Sequence, residues 1–418
     1  MQTGIQFADA QRIILEATRP LPAETVAAQS ALCRVLTEPI FATRTLPPVD
    51  CSAMDGYALR RADLADASRV SPGTLSVVLE IAAGDRPKRS LASGEAARIF
   101  TGAALPAGAD CVVRQEDSER KGQQVLIFVS PAAGEHVREA GEDLAIGDRV
   151  LDAGDEIGPG EFGLLASLGR TVVAVHRRPR VAILSGGNEL MEPDGDASEG
   201  KIVSSNSYAL SAQCLEVGAE PLYLGIARDR PEDIEGHISA GLQADCIVSS
   251  AGVSVGDHDH VREVLEKLGC QLDFWGVQIK PGYPLAFGRF PAATGPLVFG
   301  LPGNPVSAMV TFEQFVRPAL RKMQGHSAVH RPTLRARLAK PLAKKAGRLH
   351  FVRVRLERRG DELWATSTGN QSSGVLISMT RADGLLVFPE QATALGVGDE
   401  VTVQVLRQRF FASESRGF

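Results

Sequence analysis

The stretch VAILSGGNEL (residues 181–190) decides the fold, because an uninterrupted apolar run ends there in two glycines and a polar loop. Further along the chain, the apolar runs PLYLGIA (221–227) and DCIVSS (245–250) alternate with SNSYALSAQCLEVG (205–218) and RPEDIEGHISAGLQ (230–243), which have helical character. Continuous apolar strands that alternate with helices are typical of a parallel sheet covered on both faces. The pattern predicts a doubly wound, three-layer α/β domain.

Different patterns flank this domain. Apolar residues at helical spacing predict helices over residues 6–18, over 23–36 after two prolines, and again over 158–169. Short alternating runs between the second and third helices, and again after residue 330, predict β-rich modules. The predicted multidomain chain has a helical and linker domain (1–48 and 141–178), an inserted β-rich lid (49–140), the α/β domain (179–326) and a C-terminal β domain (327–418).

Charge and composition exclude several classes of protein. The formal net charge of −5 gives no overall attraction to nucleic acid or to anionic membranes. The six cysteines never form a CxxC pair, which argues against a zinc knuckle and against a secreted disulfide framework. There is no signal-peptide pattern, and no apolar run approaches the roughly 20 residues of a membrane helix. We therefore expect a cytoplasmic enzyme.

Three glycine-rich loops follow strands of the predicted α/β domain, and ligands bind at the carboxyl ends of such strands. Glycines let backbone N–H groups approach an oxyanion, and helix N-termini direct their positive ends towards it. None of the loops matches the GxGxxG or GK[ST] signatures of nucleotide sites. We expect one crevice that binds phosphate or a phosphate-like anion. Its predicted binding residues are Gly186, Gly187, Ser250, Gly252, Ser254, Gly256, Pro302, Gly303 and Asn304.

Acidic residues accompany the same loops. Glu189 follows SGGN, Asp229 follows the apolar run YLGIA, and Asp257 and Asp259 open a helix. Carboxylates clustered beside a phosphate-like anion are the ligands that Mg²⁺ requires, so Glu189, Asp229 and Asp257 are predicted metal ligands. Taken singly, Asp257 equally fits a helix N-cap, and Asp229 a helix-start turn.

Two segments of the β-rich lid place polar residues in tight loops. Asp55 precedes Gly56 in TLPPVDCSAMDGYALR (45–60), and Thr101 lies at a strand end in ARIFTG (97–102). A DG turn and a strand-closing hydroxyl explain these residues without any function. By chemistry alone, the structural explanation is preferred here.

Eight strings, in order and spacing, resemble the molybdopterin molybdenumtransferase family, of the MoeA and gephyrin E-domain type. The similarity runs nearly from end to end of the chain, which argues strongly against chance. The resemblance implies a helical region, an inserted β lid, an α/β domain similar to molybdopterin-binding adenylyltransferases, and a C-terminal β-barrel-like domain. The strings are MDGYA (54–58), TGAALPAGADCVV (101–113), GED (141–143), SGGNEL (185–190), SAGVSVGD (250–257), IKPG (279–282), LPGNPVS (301–307) and GNQSSGVLISM (369–379).

The resemblance also implies a reaction. Adenylated molybdopterin and molybdate form molybdenum cofactor with release of AMP, assisted by Mg²⁺. The implied unit is a homodimer in which the lid of one subunit faces the α/β crevice of the other. Implied protein partners are molybdopterin adenylyltransferase and the proteins that mature molybdoenzymes. By position, the implied catalytic residues are Asp55, Thr101, Asp143, Glu189, Asp229 and Lys280, with Asp257 and Asp259 on the same motifs; Arg348, Ser372 and Ser373 resemble positions that help hold molybdate.

Four positions depart from the family pattern. Tyr283 stands where lysine is common, Asn188 where aspartate is usual, Ala251 where glycine is common, and Asp383 where asparagine is frequent. The missing cation at position 283 matters most. It predicts weaker molybdate binding, or a paralogue suited to another anion or carrier.

Two other functions fit parts of the sequence. One is a scaffold of the same fold, because gephyrin's E-type domain also serves as a clustering module. The other is a metal-dependent phosphohydrolase with its site at DHDH (257–260). A zinc or iron site there is disfavoured, because His258 and His260 are two residues apart and lie on different sides of a helix. The acids Glu189 and Asp229 beside anion loops favour an enzyme over a scaffold.

Overall fold

A computed structural model of the chain describes residues 2–195, 200–250, 260–291, 295–407 and 410. The chain begins with β1 (Gln2–Ile5), which pairs in parallel with a strand at 271–277, and α1 (Phe7–Ala17). The helix predicted over 6–18 is therefore confirmed. Its buried residues Ala10 and Ile14 join the same apolar cluster as Phe274 of the α/β sheet. Two strands follow, β2 (Ala23–Ala27) and β3 (Ile40–Phe41).

The lid is a six-stranded sheet with a small apolar cluster on each face. The strands are β4 (Cys51–Ser52), β5 (Gly56–Leu59), β6 (Gly73–Ile81), β7 (Glu95–Ile99), β8 (Cys111–Arg114), β9 (Ser118–Lys121), β10 (Gln124–Ile127) and β11 (Val137–Arg138). The strand order is β8-β5-β7-β6-β10-β9, and β4 pairs separately with β11. Strand β5 needs glycine at position 56, because a Cβ there would lie 1.9 Å from the carbonyl oxygen of Val113.

The linker region contains β12 (Arg149–Leu151), α2 (Pro159–Ser167) and β13 (Val172–His176). The helix predicted over 158–169 is confirmed, but the helix predicted over 23–36 is wrong. Strand β2 occupies its first part and pairs antiparallel with β13, with Val26 opposite Val173. The β-branched pair Thr25 and Val26 favours this extended conformation over a helix.

The α/β domain has fourteen described elements between residues 180 and 323. A π-helical turn at Phe312–Val316 joins the last two helices into one continuous helix. The elements are β14 (Arg180–Gly186), β15 (Leu190–Met191), β16 (Ile202–Val203), α3 (Ser205–Glu216), β17 (Glu220–Ala227), α4 (Pro231–Gly241), β18 (Cys246–Ser250), α5 (His260–Lys267), β19 (Gln271–Val277), β20 (Ile279–Lys280), β21 (Ala286–Arg289), β22 (Leu297–Leu301), α6 (Pro305–Thr311) and α7 (Arg317–Met323).

Its sheet has seven strands in the order β1-β19-β21-β22-β18-β14-β17. Helices α1, α3, α6 and α7 pack on one face and α4 and α5 on the other, so the three-layer prediction is confirmed. The sheet is mixed rather than wholly parallel, because β21 runs antiparallel to both its neighbours. Short connections join β21 to β19 and β22, and antiparallel neighbours need no helical crossover. Within the described residues, no helix has the length and apolar character to cross a membrane.

The C-terminal domain is a closed barrel, as predicted. Five strands follow one another in the order β25-β26-β23-β29-β27, and β27 pairs back to β25. Strand β20 of the preceding domain adds to the start of β25, which ties the two domains together. The elements are β23 (Thr333–Leu338), β24 (Leu342–Ala343), β25 (Leu349–Arg359), β26 (Glu362–Ser367), α8 (Ile377–Thr380), β27 (Gly384–Phe388), β28 (Ala394–Leu395) and β29 (Glu400–Val405).

Candidate functional site

The loops after β14 and β17 hold each other by two reciprocal hydrogen bonds. The backbone N–H of Asn188 donates to Oδ2 of Asp229 (3.1 Å), and the N–H of Asp229 donates to Oδ1 of Asn188 (3.2 Å). The carboxylate of Glu189 folds back over Gly187, where a Cβ would lie 2.5 Å from Oε2 of Glu189. Glu189 and Asp229, two predicted metal ligands, are therefore both exposed at the ends of neighbouring strands.

Arg228 fixes the same loop, although no sequence motif singles it out. Its Nη1 donates to the carbonyl oxygen of Leu190 at 2.9 Å and lies 3.4 Å from that of Asn188. Among the described residues this guanidinium binds carbonyl groups and forms no ion pair with a carboxylate. Its charge therefore adds to the positive potential of the crevice.

A chain of four buried serine hydroxyls lies at the ends of β14 and β18 and the start of α3. Ser204 Oγ donates to Ser185 Oγ at 3.0 Å and lies 3.1 Å from Ser207 Oγ. Ser185 Oγ lies in turn 3.4 Å from Ser250 Oγ. Of the four, only Ser250 was predicted from the sequence. Its hydroxyl therefore helps to fix the anion loops to the sheet, whether or not it also contacts a ligand.

The barrel docks onto the third predicted anion loop. The backbone N–H of Val306, in the first turn of α6, donates to the carbonyl oxygen of Ser373 at 3.1 Å. The side chain of Asn206 in α3 donates to the carbonyl oxygen of Gly303 at 2.8 Å. The structure thus brings the predicted segments 302–304 and 372–373 together at the carboxyl edge of the sheet.

Arg353 lies behind this contact and is the main residue that the sequence analysis missed. Its side chain is fully buried, with 0% exposure. Its Nε donates to Ser378 Oγ and its Nη2 to the carbonyl oxygen of Ser372, both at 3.1 Å. Its Nη1 has no hydrogen-bond partner among the described residues, and no carboxylate there neutralises it. Burial lowers the pKa of Arg353 to about 10, so the group stays a cation at neutral pH.

Three further cations lie at the same end of the barrel. Lys280 on β20 lies in register opposite His350 on β25. The Nζ of Lys344 donates to the carbonyl oxygen of Arg348 at 2.9 Å, and Cζ of Arg348 lies 4.4 Å from the centre of the Tyr283 ring. No carboxylate within the described ranges pairs with Lys280, Lys344 or Arg348.

The lid carries its own polar pair. Oδ1 of Asp55 accepts hydrogen bonds from the backbone N–H and the hydroxyl of Thr101, both at 2.8 Å. These two bonds, with a smaller contribution from the charge of Arg98, hold the pKa of Asp55 below its usual value. Arg98 is placed by the rings of Tyr57 and Phe100, 5.2 and 5.0 Å from its Cζ. The lid therefore presents an ionised carboxylate in a fixed orientation.

The remaining predicted residues are not brought into these groups. Asp143 is exposed, and its backbone N–H donates to the carbonyl oxygen of Leu46. Among the described residues, no hydrogen bond joins Asp55, Thr101 or Asp143 to the α/β crevice of the same chain. Predicted residues that lie outside the described part of the chain are Gly252, Ser254, Gly256, Asp257 and Asp259.

Comparison with known proteins gives one consistent result. Family models match as the MoeA N-terminal region, domains I and II (residues 5–169), a probable molybdopterin binding domain (182–322) and the MoeA C-terminal region, domain IV (335–406). A molybdopterin molybdenumtransferase of Nostoc sp. is 39% identical and covers 88% of this chain and 86% of its own length. One from Haemophilus influenzae is 36% identical, with 92% and 95% covered. The chain belongs to the molybdopterin molybdenumtransferase family.

The solved structures agree with this family. A molybdopterin biosynthesis MoeA protein from Pyrococcus horikosii superposes with a TM-score of 0.81 at 33% identity, over 96% of this chain and 99% of that one. The resemblance inferred from eight motifs is thereby confirmed, together with the multidomain fold. The relatives carry the name of an enzyme, so the expectation of an enzyme rather than a scaffold is confirmed as well.

Two departures from the family pattern have structural explanations. Asn188 uses its side-chain carbonyl to accept from Asp229, so one neutral amide stands where a second acid would face Asp229. Asp383 accepts the backbone N–H of Leu356 at 3.0 Å, and its own N–H donates to the carbonyl oxygen of Val354 at 2.9 Å. Asp383 therefore closes the barrel, and in the described part of the chain it forms no hydrogen bond with the crevice loops. Ala251 lies outside the described residues.

Proposed function

We propose that this protein is a molybdenum insertase, which transfers molybdenum from molybdate to adenylated molybdopterin and releases AMP. One observation carries the proposal: a fully buried arginine, with no carboxylate partner among the described residues, lies where the barrel docks on the anion loops. A buried, unneutralised charge is costly unless an ion of opposite charge binds beside it. The names of the relatives, which describe transfer of molybdenum to molybdopterin, support molybdate as that ion.

The residues divide between two anionic reactants. Arg353, Lys280 and Arg348, with Ser372 and Ser373, supply cation and hydroxyl donors suited to a tetrahedral dianion. The loops after β14 and β22 supply backbone N–H groups for the pyrophosphate of the second substrate. The sulfur atoms of that substrate take the metal, so the protein needs no nucleophile. Its task is to align two anions and to offset their repulsion with fixed charge.

The proposal includes Mg²⁺ at Glu189 and Asp229, with Asp257 as a third ligand. Within the described residues no group of three or more His, Cys, Asp or Glu side chains forms a complete metal cage. Two exposed carboxylates at adjacent loop ends nevertheless fit Mg²⁺, which keeps several waters and is held by one or two carboxylates together with substrate phosphates. When bound, the ion would polarise the pyrophosphate.

The proposed active unit is a cytoplasmic homodimer with shared sites, in which Asp55, Thr101 and Asp143 of one lid face the crevice of the partner. Inactive Asp55→Ala and Glu189→Gln chains would then complement each other. Random pairing makes half the dimers mixed, each with one intact site, so activity should return to about one quarter of wild type. Activity that stays at the level of the separate variants, despite verified subunit exchange, would refute sharing. We further propose contacts with molybdopterin adenylyltransferase and with molybdoenzyme maturation proteins.

The insertase proposal is tested by incubating the purified protein with adenylated molybdopterin, molybdate and Mg²⁺. AMP release and metal-loaded pterin are measured together. We expect both products to depend on molybdate. Release of AMP without metal-loaded pterin, or failure of molybdate to bind at all, would contradict the proposal. Arg353→Met should lower both products if this arginine binds the anion. Arg335→Met is its control, because Arg335 lies on the same barrel but is exposed and paired with Glu400.

A further inference from the structure

His350, like Arg353, is a buried side chain of the barrel with polar atoms that lack a hydrogen-bond partner among the described residues. It is 6% exposed, and neither Nδ1 nor Nε2 has a hydrogen-bond partner among the described residues. Its ring stacks on Phe388 with an interplanar angle of 9°. Stacking explains why an aromatic ring occupies this position. It leaves unexplained why the ring carries two polar atoms, each of which would ordinarily be hydrogen-bonded when buried.

Lys280 lies opposite His350 on β20, and the charge of Lys344 reaches it from the loop between β24 and β25. Arg353, three residues further along the same strand, lies on the opposite face of β25, and β27 contributes the uncharged ring of Phe388. Burial lowers the pKa of Lys344, and the negative charge of Glu390 partly opposes that shift. The Nζ of Lys344 also donates to the carbonyl oxygen of Glu390. Burial, followed by the charges of Lys280, Arg353 and Lys344, lowers the pKa of His350 to about 4.

The favoured protonation state of the imidazole therefore differs between the anion-free and the anion-bound protein. Without an anion, protonation would add a positive charge beside Lys280 and Lys344 in a buried position, so the ring is neutral. A dianion among the cations reverses the sign of the local charge and favours the protonated ring, which has two N–H donors. Electrostatic coupling of this kind acts over several ångströms and needs no large movement.

We propose that His350 completes the oxyanion site: when a tetrahedral dianion binds beside Lys280 and Lys344, His350 takes up one proton and donates a hydrogen bond towards that anion. The inference rests on the proposed function, because it assumes that molybdate is the anion. It adds a binding residue on the inner face of the barrel, opposite to the face where Val306 meets Ser373. It also makes the affinity for the dianion depend on pH.

The test is calorimetric titration of the full-length protein with molybdate at pH 6.5 and 8.0, in buffers that differ in ionisation enthalpy. The number of protons bound per anion follows from the difference between buffers. Sulfate serves as a second probe, because it stays a dianion throughout this range and so separates protonation of His350 from that of the metal oxyanion.

Three variants complete the design. His350→Gln keeps a hydrogen-bond donor but cannot gain charge, and His350→Phe keeps the stack on Phe388 without any donor. His330→Gln is the control at an exposed histidine, whose pKa partial burial and Arg317 also lower. Thermal unfolding and circular dichroism establish that each variant is folded.

For wild type and the control we expect uptake of about 0.5 to 1 proton per anion at pH 6.5, and a Kd that rises with pH by up to about tenfold per unit. Both His350 variants should lose the proton uptake and the pH dependence, and His350→Phe should bind at least about tenfold more weakly at pH 6.5. Tight molybdate binding by wild type with no proton uptake, or uptake that persists in His350→Gln, would overturn the role of His350 while leaving the insertase intact. No binding of molybdate by wild type would instead refute the proposed function.

Discussion

Two arginines of similar burial have opposite surroundings. Arg331, with 10% of its side chain exposed, donates to both carboxylate oxygens of Glu313 and to Oε1 of Glu216 at 2.8 to 3.2 Å. Burial alone lowers the pKa of Arg331, but the bonds to Glu313 and Glu216 more than offset it and leave that pKa above its usual value. Arg353 has no carboxylate among the described residues and keeps one nitrogen without a partner.

The difference separates a structural charge from a functional one. Arg331 and Glu313 neutralise each other at the junction of α7 and the barrel, so the folded protein is complete there without a ligand. Arg353 has two hydrogen bonds to neutral groups, which do not neutralise its buried charge, so the binding of an anion beside it would offset the cost of burial. We therefore expect substitution of Arg331 to affect mainly stability, and substitution of Arg353 to affect mainly activity.

The largest expected effect is on stability, from Arg331→Met. It leaves Glu313, 4% exposed, without its main partner, and breaking a buried pair in this way costs about 3 to 5 kcal/mol. Chemical denaturation measures the change in free energy of unfolding. Arg335→Met, which removes an exposed pair with Glu400, should cost less than about 1 kcal/mol. Equal effects of the two variants would show that the buried network does not stabilise the junction.

The second effect is on activity. Arg353→Met should lower AMP release by about 10²-fold or more, the usual scale for losing one preorganised charge. Its free energy of unfolding should stay unchanged or rise, because methionine needs no counter-ion. Arg353→Lys keeps the charge but not the planar guanidinium group, so its rate of AMP release should lie between those of wild type and Arg353→Met. If Arg353→Met unfolds the protein as readily as Arg331→Met while its folded fraction remains active, the contrast between the two arginines is wrong.

The third prediction concerns an acidic counterpart in the lid. Thr101→Val keeps the backbone N–H bond to Asp55 but removes the hydroxyl bond to the same carboxylate oxygen. Because these bonds lower the pKa of Asp55, their partial loss raises it, and the carboxylate protonates at higher pH. The acidic limb of kcat/KM should therefore move to higher pH, with a loss of about tenfold below it. Thr101→Ser, which restores the hydroxyl, should return the profile to that of wild type.

Parts of the molecule were readable from the sequence because the relevant contacts are local. The apolar residues and glycines of 181–190 predict a strand followed by a loop, and the helical spacing of apolar residues predicts the buried face of α1. The helix predicted over 23–36 is wrong because strand β2 forms there by pairing with β13, almost 150 residues away, and no local pattern reveals that pairing. Arg353 reads as one more polar residue in an alternating strand. Its partners Ser372 and Ser378 lie 19 and 25 residues further along the chain, and such a contact is not encoded in the period of the strand.

The smallest expected effect concerns Arg348, a third kind of arginine that has neither a carboxylate nor deep burial. Its guanidinium lies on the ring of Tyr283, where the family commonly has lysine. A cation–π contact of this kind holds a charge in place without neutralising it and is worth about 0.5 to 1 kcal/mol at exposed sites.

The ring of Tyr283 thus holds the cation of Arg348 in place, and this charge offsets part of the missing lysine charge. Tyr283→Leu should release Arg348 and raise the KM for molybdate by about two- to fivefold, with kcat nearly unchanged, because only positioning of a charge is lost. Tyr283→Phe keeps the ring and should match wild type, and Arg348→Met should reproduce the effect of Tyr283→Leu. The double variant Tyr283→Leu/Arg348→Met decides the question by a double-mutant cycle. If the ring acts through Arg348, the double variant is no worse than either single one, whereas multiplied effects would mean that Tyr283 contacts the substrate independently of Arg348.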